Sequence, residues 1–128
     1  MKIPLLTTLM MLGCGPAFGV ELLRAPLPPL PPSQEVRIDE LTLPPGFSGP
    51  AHRHDAYVYV YVVAGTVEMQ VEGKALQRLT AGQVFTEIPA DVHAVMRNPS
   101  ATEPARFVSF IIKKADAAVS VPAASGAN

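Results

Sequence analysis

The stretch AYVYVYVV, residues 56–63, holds nothing but alanine, valine and tyrosine. Branched and aromatic side chains crowd the turns of a helix but pack well on a pleated surface, so this stretch is read as a strand. It has company. EVRIDELTL (35–43) sets Val36, Ile38, Leu41 and Leu43 among polar residues, and TVEMQVEGKALQRL (66–79) alternates Val67, Met69 and Val71 with Glu68 and Gln70 before turning at Glu72-Gly73-Lys74. QVFTEIP, HAVMRN and ARFVSFIIKK follow at short intervals, divided by Gly82, Pro89 and PSATEP. No segment of helical length has a 3.6-residue period. Short strands at regular spacing predict an all-β sandwich or barrel.

Length and charge narrow the function. A chain of 128 residues is one domain's worth. Its 48% apolar and 16% charged content is globular rather than disordered. Ten Lys and Arg against eleven Asp and Glu leave no excess of positive charge for nucleic acid.

The ends are organised differently from the middle. Residues 1–19, MKIPLLTTLMMLGCGPAFG, read as an export signal: Lys2, an apolar run from Ile3 to Leu12, then Ala17-Phe18-Gly19 for cleavage. The run is too short for a membrane-spanning helix, which needs about 20 residues. A periplasmic protein starting near Val20, without cysteine, is expected. The alternative is a lipid anchor at Cys14, because MLGC resembles a lipoprotein signal, although Leu12 stands where a small residue is usual. Residues 20–34 read as a linker, with five prolines in the eleven positions of RAPLPPLPPSQ. The folded domain is expected over 35–114 and a loose tail over 115–128.

The chain has three histidines. His52 and His54 alternate with Arg53, so on a strand they share one face. His93 opens a later strand after the turn-rich PAD. Two imidazoles at i and i+2 with a third from a neighbouring strand can converge on a metal. His-x-His alone also fits a solvated strand end.

These residues carry a resemblance. Gly46, five residues, His52, His54 and a closing Gly65 are similar to the first motif of the cupins. Gly82 followed eleven residues later by His93, with Pro89 between and Asn98 beyond, is similar to the second. Pro89 falls one place late, and Asp91 stands where the turn glycine is usual. The resemblance implies a small double-stranded β-helix, or jelly-roll barrel. It also implies a divalent transition metal (Fe, Zn, Cu, Ni or Mn) on His52, His54 and His93. The family's glutamate ligand falls on Val58, which cannot coordinate. A set of three neutral histidines is left, as in quercetinase-like cupins that activate dioxygen, with open positions for water or substrate.

Other residues complete the expected site. Glu87 can coordinate from the FTEIP strand or, the preferred reading, orient a histidine through its free ring N–H. Arg97, four residues after His93, shares its face if the strand is regular. It can bind a substrate carboxylate, though an ion pair is preferred. With His52 and His54 facing inward, Val58, Val60 and Val62 line the barrel and Tyr57, Tyr59 and Tyr61 face out. The tyrosine row calls for cover by a second copy of the chain or by the N-terminal segment; a stacking role for Tyr59 against substrate is the alternative. Function is expected to be that of a metal-dependent dioxygenase on a small organic substrate. The alternative is a small-molecule-binding or sensing module without catalysis.

Overall fold

A computed structural model describes residues 20–24 and 32–123. The expected export signal with Cys14, most of the proline-rich stretch and residues 124–128 lie outside the described residues. Among the described residues nine strands run in chain order: β1 (Gln34–Leu43), β2 (His52–Arg53), β3 (Ala56–Ala64), β4 (Thr66–Val71), β5 (Gln77–Thr80), β6 (Val84–Glu87), β7 (Val92–Arg97), β8 (Ala105–Lys114) and β9 (Val121–Pro122). They form two antiparallel sheets, ordered β1-β8-β3-β6 and β5-β4-β7-β2-β9. Among the described residues there is no helix long and apolar enough to cross a membrane.

The period-2 pattern sorts each strand into an inner and an outer face. On β3 the valines at 58, 60 and 62 are buried while the tyrosines at 57, 59 and 61 lie on the other side. Phe107 and Ile111 of β8 join these valines. Across the barrel, Val67, Met69 and Val71 of β4 close the core from the second sheet. The outer face of the first sheet is apolar as well: Ile38 is 58% and Phe110 40% exposed. Val20, Leu22 and Leu23 line a hollow on this face together with Tyr59 and Tyr61.

Two features of the motifs acquire a physical reason. Gly65, between β3 and β4, has φ +72°, and a Cβ there would lie 2.5 Å from the Pro104 carbonyl oxygen. Only glycine fits that turn. Asn98 is buried; its amide donates to the carbonyls of Leu43, Pro44 and Glu103, and its oxygen accepts from the Ser100 N–H. The asparagine therefore clamps two loops at the end of the barrel away from the histidines.

Residues 115–123 correct the expectation of a loose tail. Buried Lys113 pairs with Glu35 at 2.7 Å and donates to the carbonyls of Lys114, Ala115 and Ala117. This folds the chain back after β8. The strap then lays β9 beside β2, in register His52 with Pro122.

Candidate metal centre

Two strands and the link after the first deliver the histidines to one place: His52 on β2, His54 just beyond it and His93 on β7. β2 sits between β7 and β9, with His52 directly opposite His93. The rings of His52 and His54 meet edge to face with centroids 4.8 Å apart, and His52 and His93 are 4.9 Å apart. One ligand atom from each of the three lies within 4.8 Å of the others. His93 is 2% exposed and packs against Phe85.

Their hydrogen bonds fix which nitrogens are free. His52 Nδ1 is 3.0 Å from the Pro50 carbonyl oxygen, and His54 Nδ1 is 2.6 Å from that of Val119. A carbonyl oxygen only accepts, so in the neutral rings both protons sit on Nδ1. Both Nε2 atoms then present lone pairs, yet they lie 3.1 Å apart. Neither can donate to the other, and a cation between them relieves the repulsion. A proton is disfavoured in that role, because burial, ahead of repulsion from His93 and His54, holds the His52 pKa below its ordinary value. Neither ring nitrogen of buried His93 has a hydrogen-bond partner, and Glu87 Oε2 has none either. Buried polar atoms are rarely left so. The donor set of three imidazoles with a nearby carboxylate suits a divalent transition metal.

The histidines stand on the wall of a cavity of about 680 Å³. Val58, Val60, Met69, Met96, Phe107 and Ile111 give it apolar sides. Arg37 and Asp39 of β1 also line it, with Arg37 Nε donating to both Asp39 oxygens at 3.0 and 2.8 Å.

The remaining candidates separate. Glu87 is 3% exposed, lines the cavity and lies 3.2 Å from His93 Nδ1. Asp91 stands in for the turn glycine by hydrogen bonding: its carboxylate accepts from the Ile88 N–H and its own N–H donates to the Ile88 carbonyl. The late proline therefore leaves β6 regular through Glu87. Arg97 is not on the histidine face. Between β4 and β7 the register shifts from Gln70 opposite Val95 to Val71 opposite His93, so one extra residue on β7 reverses the alternation. Met96 takes the inward position, while Arg97 turns out to Glu68 at 2.5 Å, where Arg78 joins at 2.9 Å. The Arg97 hydrogen bond holds the Glu68 carboxyl below the usual carboxylate range. Tyr59 lies on the outer face of β3 and cannot stack on a molecule in the cavity. Sequence reading missed the strap: Val119 and its neighbours belong to a run of small residues with no period to detect.

Residues 39–111 match the family described as Cupin domain. The chain is a cupin. No curated protein matches it. Among solved structures, this cupin is similar to the DMSP lyase DddQ from Ruegeria pomeroyi DSS-3, with 20% identity and TM-score 0.63 over 73% of this chain and 45% of that one. A double-stranded β-helix protein from Klebsiella pneumoniae has 24% identity and TM-score 0.55 over 65% of this chain and 70% of that one. A predicted oxalate decarboxylase from Thermotoga maritima has 25% identity and TM-score 0.53 over 59% and 64%. The cupin thus spans less than half the length of the lyase it resembles.

Proposed function

We propose that this cupin is a small metal-dependent oxygenase whose substrate is a compact, mostly apolar organic molecule. The observation that carries the metal is the pair of lone pairs on His52 Nε2 and His54 Nε2, 3.1 Å apart beside the unpartnered ring of His93. His52, His54 and His93 would hold the ion. When bound, it supplies Lewis-acid chemistry and, for iron, manganese, nickel or copper, redox chemistry toward dioxygen. The chain's own residues do the rest. The Pro50 and Val119 carbonyls orient two imidazoles with Nε2 toward the site. The valine, methionine and phenylalanine walls exclude water and select apolar substrate. Arg37, with its charge matched by Asp39, lines the same cavity.

Similarity in fold to a DMSP lyase and a predicted oxalate decarboxylase supports chemistry on a small organic molecule in such a barrel, without choosing the reaction. The test is to load the protein with each metal in turn and follow dioxygen uptake with a panel of small enols and aromatic diols. Uptake that needs both metal and one substrate supports the reading. Stoichiometric ligand binding without turnover makes the protein a binding module instead.

A further inference from the structure

The first motif places a valine, Val58, where a carboxylate ligand is usual, and the structure puts a carboxylate directly across from it. Val58 pairs with Glu87 in the register of β3 and β6. Directly opposed residues in an antiparallel pair project to the same face, with Cβ atoms about 5 Å apart. Both side chains therefore enter the cavity side by side, Val58 3% and Glu87 3% exposed.

A buried carboxylate is costly unless it is paired or bound to a metal. Among the described residues Glu87 makes no ion pair with Lys or Arg; the one basic side chain within ion-pair distance is His93, whose Nδ1 lies 3.2 Å away. That contact is not a hydrogen bond, because the ring N–H direction misses the oxygen and His93 Nδ1 is left without a partner. The spacing has another meaning. Two neighbouring donors on one metal, each at about 2.0–2.1 Å, lie roughly 2.9 Å apart at octahedral angles and roughly 3.3 Å apart at tetrahedral ones. His52 Nε2 and His54 Nε2, at 3.1 Å, and His93 Nδ1 and Glu87 Oε1, at 3.2 Å, both have the separation of neighbours around a shared ion.

We infer that Glu87 is the fourth protein ligand, so that the carboxylate absent from β3 is supplied by β6. This rests on the metal site proposed above and deepens it. A carboxylate ligand cuts the net charge of a divalent centre to one and leaves two open positions in a six-coordinate ion. The Ile88–Asp91 turn ties Glu87 to the strand that begins just before His93, which sets the two donors relative to each other.

The register allows an exchange experiment. Cobalt(II) is titrated into the metal-free full chain, into Glu87→Val and into the double variant Val58→Glu/Glu87→Val, with the visible spectrum and circular dichroism recorded. One cobalt per wild-type chain is expected. Glu87→Val should keep the β-sheet signal, change the spectrum and weaken binding by more than the roughly 10–100-fold that loss of a merely orienting partner costs. The double variant should regain most of that affinity, since the carboxylate returns from the opposing strand. Unchanged binding and spectrum in Glu87→Val, or a double variant no better than the single one, overturns the inference while leaving the three-histidine site standing. A wild-type chain that takes up no cobalt overturns the metal reading itself.

Discussion

Ending the chain after Ala118 removes the strap that crosses the histidine end of the barrel. It deletes the carbonyl that accepts from His54 Nδ1 at 2.6 Å and the β9 partner of β2. It spares the Lys113 anchor, whose acceptors end at Ala117, and it spares the pairing of His52 with His93. Two costs follow. For the metal-free fold, the His54 bond, the β2–β9 pairing with the Ala123-to-Ala51 hydrogen bond, and the packing of Val119 on the core are lost, about 2–4 kcal/mol. Metal binding carries its own, separate loss. His54 can then rotate or shift its proton to Nε2, and removing such an orienting partner costs about 10–100-fold in affinity, roughly 1.4–2.8 kcal/mol. Calorimetric titration with zinc, beside urea unfolding in chelator, separates the two. Affinity equal to that of the full chain refutes the argument that the strap orients His54. Outright unfolding of the truncated protein refutes the claim that the barrel is complete without it.

Metal at 100 times its dissociation constant should raise unfolding free energy by about 2.7 kcal/mol, and His54→Ala should abolish that increment in the same thermal assay. In metal-free protein His52 carries a lowered pKa against an unfolded value of 6.5, so below 6.5 the unfolded chain binds more protons. The stability present above that pH should therefore fall as the solution is acidified toward the folded-state pKa. His52→Gln, with His54, His93 and Glu87 still facing the site, should flatten that part of the urea-midpoint profile. Gly73→Ala, with φ +76° and open space, should cost about 1–2 kcal/mol. Gly65→Ala adds a clash with the Pro104 carbonyl at 2.5 Å and should cost a further 1–3 kcal/mol or so; equal losses in chemical denaturation would contradict that geometry. The apolar outer face of the first sheet should pair two chains, so sedimentation should show a dimer that Tyr59→Glu dissociates.

The strands were legible in the sequence because burial of one face imposes a period of two, and AYVYVYVV or TVEMQV cannot satisfy it otherwise. The same period assigned the inward valines and outward tyrosines of β3 correctly and put His52 and His54 on one face. It failed at Arg97, because a single extra residue on β7 inverts the alternation and a bulge leaves no mark in the hydrophobic pattern. It also could not see the strap, since the chain after β8 is held by buried Lys113, by the contact of His54 with the Val119 carbonyl and by the pairing of β9 with β2 rather than by any apolar repeat of its own. Nor could it choose a role for Glu87. Spacing along the chain says only that Glu87 precedes His93; that it stands opposite Val58 is a fact of strand register. Which residues alternate is a local property, fixed by the backbone of each strand. Which residues meet depends on long-range pairing between strands, and only the folded barrel decides it.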